Sequence, residues 1–101
     1  MRVIYTDQSL VSLEELLNFL IESQGYERES VALIINQLFD RAESLKAHPH
    51  KGQLEENLQH LKEGHRRIIE RYFKIIYKVE KETIYITDFF DSRQDPEKMK
   101  G

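Results

Sequence analysis

The spacing of hydrophobic residues changes along the chain, and these changes predict the order of its secondary structure elements. Residues 2–6 are mostly β-branched or aromatic, which is typical of a strand. Apolar residues then recur twice at helical spacing, which predicts two amphipathic helices. The two stripes are Leu13, Leu16, Leu17, Leu20 and Ile21, and then Val31, Ile34, Ile35, Leu38, Ala42 and Leu45.

Residues that favour helix ends set the expected limits of both helices. Ser12 and Glu15 have the spacing of a capping box, and Ser9 is an alternative start of the first helix. This helix is expected to end near Gln24, with Gly25 as the residue that leaves it. The second helix is expected over residues 27–47, because Pro49 prevents its continuation. A short loop between two such helices predicts a helical hairpin.

The second half of the chain has the alternating pattern of strands. Residues 48–63 show no period and are interpreted as a surface connection, whereas 64–71, 73–80 and 83–89 each predict a strand. Short turns between the last three strands predict an antiparallel meander. The expected fold is α+β, β-α-α-β-β-β, with the helical hairpin packed on one face of a small antiparallel sheet in a single domain, residues 1–101. The sequence leaves two points open: where the first strand lies in the sheet, and whether residues 97–101 are ordered or disordered.

Alternation also assigns side chains to the two faces of the sheet. The residues expected under the helices are Phe73, Ile75, Tyr77, Val79, Ile84 and Ile86. Those expected on an open, uncovered face are Lys74, Ile76, Lys78, Tyr85, Thr87 and Phe89. In the 64–71 strand, where Ile68 and Ile69 are adjacent, either His65, Arg67 and Arg71 or Arg66 and Glu70 share the open face.

Charge is distributed unevenly over the 101 residues. The chain has a net charge of −3, yet residues 62–81 carry about +4, which indicates an anionic partner at one face. Cysteine is absent, and the four histidines (His48, His50, His60 and His65) lack the spacing of a metal site, so no metal is expected. No glycine-rich phosphate loop or membrane-spanning segment is visible, so neither a cofactor nor a membrane partner is expected. We expect a cytoplasmic protein.

Four short segments carry a family resemblance. They are Leu45-Lys46-Ala47-His48-Pro49 before Gly52, Arg66-Arg67, Phe73-Lys74-Ile75-Ile76-Tyr77-Lys78-Val79, and Phe90-Asp91-Ser92-Arg93-Gln94-Asp95-Pro96. With the predicted element order, they resemble the RelE/ParE superfamily, toxins of bacterial type II toxin–antitoxin systems associated with plasmid stabilization. The resemblance implies a growth-inhibiting protein neutralised by a cognate antitoxin. The segment 89–96 resembles the ParE-like branch more, and that branch implies DNA gyrase as the target.

The resemblance leaves a second activity open, ribosome-dependent cleavage of mRNA by a metal-independent endoribonuclease of the RelE-like branch. Its candidate catalytic residues are His65, Arg67, Lys74 and Arg93. RelE-like nucleases have a terminal Tyr or His where this chain has Met99-Lys100-Gly101, and Lys74 replaces an arginine that would clamp a phosphate with two bonds. A binding role is therefore favoured over an enzymatic one. A third reading is an inactive family member that binds only its antitoxin.

Several exposed residues are candidates for contact with a target or partner. They are Arg66, Arg67, Lys74, Lys78, Phe89 and Arg93. The alternative for the basic residues is a solvated sheet face, and Arg93 could instead pair with Asp91 or Asp95. Leu10, Leu33 and Phe39 lie off the main helical stripes, so they either form an antitoxin-binding surface or fill the periphery of the core.

Overall fold

A computed structural model describes the whole chain, Met1–Gly101, and confirms the α+β fold. Its element order is β-α-α-β-β-β with one additional two-residue strand. The strands are β1 (Arg2–Tyr5), β2 (Gln53–Leu54), β3 (Arg66–Glu70), β4 (Phe73–Glu80) and β5 (Thr83–Asp91), and the helices are α1 (Asp7–Asn18) and α2 (Arg28–Glu43). A π-helical turn, Phe19–Ser23, extends α1, and short 3₁₀ helices lie at Ser44–Lys46, Glu56–Leu61 and Pro96–Lys98.

The five strands form one mixed sheet in the order β1-β5-β4-β3-β2. The predicted antiparallel meander is confirmed, because β3 pairs with β4 and β4 pairs with β5 in antiparallel register. Strand β1 lies at the edge beside β5 and is parallel to it, with Arg2 opposite Thr83. The sheet is therefore not wholly antiparallel. The two helices supply the long connection that returns the chain to the sheet.

Helix α1 begins earlier than the sequence predicted. Thr6 caps it, with an extended backbone and a side-chain oxygen that accepts a hydrogen bond from the Ser9 amide at 3.1 Å. The prediction of Ser9 or Ser12 as the first cap was wrong, because both are buried within α1. Gly25 follows the π-helical turn with φ of 70°, so its predicted role in ending the helix is confirmed.

The main core lies between the helical hairpin and the near face of the sheet. The helical stripes pack against Phe73, Ile75, Tyr77, Ile84 and Ile86, as their alternation predicted. Tyr77 is fully buried, and its hydroxyl accepts a hydrogen bond from the Gly52 amide at 3.0 Å. A side chain at Gly52 would place its first carbon 2.6 Å from that hydroxyl and 2.6 Å from the Arg67 carbonyl oxygen. The loop after α2 can therefore approach the sheet only with glycine at this position.

A β-bulge in β5 overturns the predicted direction of Phe89. Ile76 is opposite Asp88 whereas Tyr77 is opposite Ile86, so Thr87 is an extra residue in β5. The extra residue reverses the alternation that follows it. Phe89 therefore lies in the main core at 3% exposure, with its ring 6.4 Å from Tyr5, and cannot act as a surface contact.

The other face of the sheet, the far face, is not open as predicted. Residues 48–63, which the sequence predicted as a surface connection, contain β2 and the 3₁₀ helix Glu56–Leu61. This short helix and the tail, which we define as Pro96–Gly101, lie over the far face. They form a second, smaller core of Leu58, Ile76, Phe90 and Met99.

Candidate functional site

Antiparallel pairing of β3 and β4 brings the predicted basic residues together on the far face. Arg67 is opposite Ile76 and Lys74 is opposite Ile69, so Arg67, Lys74 and Lys78 share one side of the sheet. Of the two alternatives for the strand before β4, the one that places Arg67 on this side is confirmed. Arg66 has the opposite orientation, and its guanidinium donates to the Gly52 carbonyl at 2.7 Å.

A buried carboxylate, Glu55, pairs with both Arg67 and Lys74 and offsets one of their two positive charges. Glu55 is 1% exposed and accepts a hydrogen bond from Lys74 Nζ at 2.9 Å, while Arg67 Nη1 lies 3.7 Å away. The backbone and side-chain nitrogens of Asn57 donate to its second oxygen, each at 3.1 Å. Burial acts to raise the pKa of Glu55, but the bonds from Lys74 and Asn57 outweigh it and hold that pKa below its ordinary value.

The remaining contacts of Arg67 and Lys78 are also internal. Arg67 donates to the Leu54 carbonyl at 2.7 Å and to the Gln53 side chain at 3.0 Å. Lys78 forms ion pairs with Glu63 and Glu80. Hydrogen bonding to Glu63 is the main reason that the pKa of Lys78 is raised.

Each far-face cation therefore has a carboxylate of its own chain beside it. The side chains of Arg67, Lys74 and Lys78 are only 16–20% exposed. The predicted cationic, solvent-open surface was wrong in this respect, although the three residues do share a face. A phosphate or other anion would compete with Glu55 and Glu63 for these three cations.

His65 also lies beneath the elements that cover the far face. It is 3% exposed, and neither of its ring nitrogens has a hydrogen-bond partner. Burial lowers its pKa below the ordinary value of 6.5. The ring is close to Leu61 of the short helix and to Gly101 of the tail, which keep it from solvent.

Arg93 is held at the end of β5 and away from Lys78. Its guanidinium makes a bidentate contact with the fully buried Asp91, at 2.7 Å and 3.0 Å, and lies 4.7 Å from the centre of the Tyr72 ring. The hydrogen bond to Asp91 raises its already high pKa. The ion pair with Asp91, one of the two alternatives from sequence, is thus present.

Sequence reasoning missed Glu55, Asn57 and Asp88. Glu55 and Asn57 belong to a segment without periodicity, and glutamate is not among the residues that typically cap a helix, so no sequence signal indicated their role. Asp88 was hidden by the bulge. It is buried, its carboxylate accepts a hydrogen bond from the Lys100 amide at 2.9 Å, and burial raises its pKa.

Comparison with known protein families gives the class of protein to which this fold corresponds. A helical hairpin packed on one face of a small sheet, with the element order β-α-α-β-β-β, is the fold that the resemblance implied for small toxins of type II toxin–antitoxin systems. A family model described as ParE toxin of the type II toxin–antitoxin system, parDE, matches residues 3–96. The chain therefore belongs to the ParE toxin family within the RelE/ParE superfamily.

One further comparison and two observations on the structure give negative findings. No curated protein sequence matches the chain. None of its helices is long and apolar enough to cross a membrane. The structure contains no group of three or more His, Asp or Glu side chains that could hold a metal ion.

Proposed function

We propose that this type II toxin inhibits growth by binding DNA gyrase and that a cognate antitoxin neutralises it. The observation that carries the proposal is the match of residues 3–96 to the ParE toxin model, together with the β-α-α-β-β-β fold. Gyrase acts on DNA in the cytoplasm, so this proposal also places the toxin there. Inhibition by binding requires no catalytic residue in the toxin itself.

The electrostatics of the far face support binding over RNA cleavage. A ribonuclease of the RelE-like kind needs cations that are free to hold the scissile phosphate and its developing charge. Here Glu55 occupies the space between Arg67 and Lys74. Displacing a buried carboxylate from its partners costs several kcal/mol, on the order of 3–5 in comparable buried pairs. A phosphate that took the place of Glu55 between Arg67 and Lys74 would have to overcome this cost.

One observation favours the nuclease as a second candidate. His65, Arg67 and Lys74 all belong to the side of the sheet covered by the short helix and the tail. A histidine on the same side of the sheet as two cations could serve as the proton donor or acceptor in RNA cleavage. This activity would require the tail and Glu55 to move aside first.

The exposed apolar residues of the helices are a candidate surface for the antitoxin. Leu10 and Leu33 are 45% and 64% exposed, while Phe39 packs against Tyr5 and belongs to the core periphery. Leu10 and Leu33 thus lie on the surface, whereas Phe39 fills the periphery of the core. We propose that the antitoxin covers Leu10 and Leu33, because solvent-exposed side chains of this size favour burial by a partner.

Expression without the antitoxin, followed by three assays, tests the proposal. We expect growth arrest, loss of gyrase supercoiling activity with purified protein, and full-length mRNA in primer extension. Cleaved mRNA with normal supercoiling would instead support the nuclease. Growth without arrest would support an inactive family member that binds only its antitoxin.

A double variant separates the two toxin mechanisms further. Arg67→Ala with Lys74→Ala removes the candidate phosphate contacts, and Arg28→Ala with Lys62→Ala, at two exposed cations without carboxylate partners, is the charge-matched control. If the target binds outside the far face, both double variants should remain toxic, provided that they fold. Loss of toxicity in the Arg67/Lys74 variant alone, with folding retained, would move the functional surface to the far face.

A further inference from the structure

The tail is fastened to the far face at three consecutive residues. Met99 is 7% exposed and packs in the smaller core with Leu58. The Lys100 amide donates to the Asp88 carboxylate at 2.9 Å, and the Gln8 side-chain nitrogen lies 3.2 Å from the Gly101 carbonyl oxygen, to which it donates. One apolar and two polar contacts therefore hold this segment.

The imidazole of His65 lies beneath the end of the tail. A carbon atom added at Gly101 would be 2.9 Å from both Nε2 and Cε1 of this ring and 2.5 Å from the Leu61 side chain. The tail therefore covers the ring at van der Waals distance. Both ring nitrogens are buried and have no hydrogen-bond partner, which is an unusual state for a polar group in a folded protein.

Protonation of this ring is costly while the tail covers it. A neutral imidazole leaves one donor and one acceptor unpaired, whereas an imidazolium leaves two donors and a full charge without water. The charged groups around the ring are Glu63 in the loop before β3, and Lys78 and Glu80 on β4. Glu63 and Glu80 favour the charged ring and Lys78 opposes it, but burial outweighs all three and lowers the pKa.

We propose that the tail is a proton-sensitive latch, which lies on the far face while His65 is neutral and lifts when His65 takes up one proton. Lifting would give the imidazolium access to water and to the Glu63 carboxylate. It would also expose the apolar side chains of Leu58, Ile76 and Phe90, which Met99 now covers. The latch thus couples acidification to the exposure of an apolar surface on this toxin.

The sign of the effect follows from the direction of the pKa shift. While the tail is closed, burial holds the pKa of His65 below its ordinary value of 6.5, and the proposed lifting removes that burial and so shifts this pKa back towards the ordinary value. The closed state is therefore fully favoured above about pH 6.5 and loses stability as the pH falls below it. Asp88 has the opposite effect: burial raises its pKa, so its protonation favours the closed state. The contribution of Asp88 to the pH dependence must therefore be separated from that of His65.

Hydrogen exchange of the Lys100 amide in the full chain measures the latch directly. After correction for the intrinsic exchange rate, we expect protection of this amide to fall about tenfold between pH 7.5 and pH 5.5. His65→Leu should abolish this fall, whereas His60→Leu, at an exposed histidine of the short helix, should retain it. Asp88→Asn should also retain it, because an amide oxygen can still accept the bond from Lys100.

A second measurement keeps the proposal testable if His65→Leu does not fold. The imidazole of His65 can be titrated by NMR in the unmodified protein, where its pKa should lie below 6.5, and in Met99→Ala, where it should move towards 6.5 because the tail has lost its apolar anchor. Protection of Lys100 that is independent of pH would overturn the latch. So would a fall that survives His65→Leu, or a His65 pKa that Met99→Ala leaves unchanged.

Discussion

The buried carboxylate of Glu55 gives the sharpest test of the far face. The substitution Glu55→Gln preserves the shape of the side chain and one oxygen acceptor for Asn57, but removes the negative charge between Lys74 and Arg67. Removing one partner of a buried ion pair typically costs about 3–5 kcal/mol. Both cations retain some solvent contact here, so we expect the free energy of unfolding to fall by about 2–3 kcal/mol.

Urea unfolding at two pH values measures this loss and its origin. The pKa of Glu55 is held below its ordinary value of 4.5 in the folded chain, so its contribution is fully present above pH 4.5 and is lost as the pH falls through the lowered pKa. The difference in the free energy of unfolding between Glu55→Gln and the unmodified protein should therefore be large at pH 7 and smaller at pH 3.5. A loss of this size should lower the melting temperature by about 10 °C.

The matched control is Glu63→Gln, which removes an exposed carboxylate from Lys78 on the same face. We expect this change to have a much smaller effect, because solvent screens an exposed ion pair. Equal losses for the two variants would contradict the assignment of Glu55 as the buried counter-charge. A difference between Glu55→Gln and the unmodified protein that is the same at pH 3.5 and pH 7 would contradict it as well.

Three further substitutions test the packing that positions this face. Gly52→Ala should destabilise the fold by about 1–3 kcal/mol, as thermal unfolding can show. Tyr77→Phe should recover part of that loss in the double variant, because it removes the hydroxyl, one of the three close contacts. Phe89→Ala should cost about 3–5 kcal/mol in urea unfolding if the bulge turns this ring into the core, and a cost below about 1 kcal/mol would return Phe89 to the surface. Thr6→Val should cost about 1 kcal/mol through loss of the α1 cap, measured by the same method, and a neutral result would disprove this capping role.

The helices and most of the sheet were predictable because their apolar residues repeat at regular spacing. The stripes containing Leu16 and Leu38, and the alternation through Ile75 and Tyr77, each match the core that the structure shows. The β-α-α-β-β-β order and the helical layer on one face of the sheet followed from these patterns, and the family resemblance added the expected function. Periodicity could not place β1 in the sheet, because pairing of Arg2 with Thr83 depends on contacts distant in sequence.

Prediction failed in two situations. In one, a single extra residue changes the register of a strand, and in the other, a polar contact depends on where the folded chain crosses the sheet. The extra residue Thr87 reversed the direction of Phe89, and alternation alone cannot locate such a bulge. Glu55 reaches Lys74 only because the short helix crosses the far face, and residues 48–63 have no period that indicates this path. The basic residues were thus placed on the correct face, but their neutralisation was not foreseen.

Strand β5 is an interior strand of the sheet although every other strand and both long helices precede it in the chain. It pairs with β1 on one side and β4 on the other, and α1 packs against it. A growing polypeptide therefore cannot complete either the sheet or its main core until Thr83–Asp91 has been synthesised. The toxin consequently acquires its folded surfaces only after residues 83–91 have been synthesised, so a partner that recognises those surfaces cannot bind a shorter nascent chain.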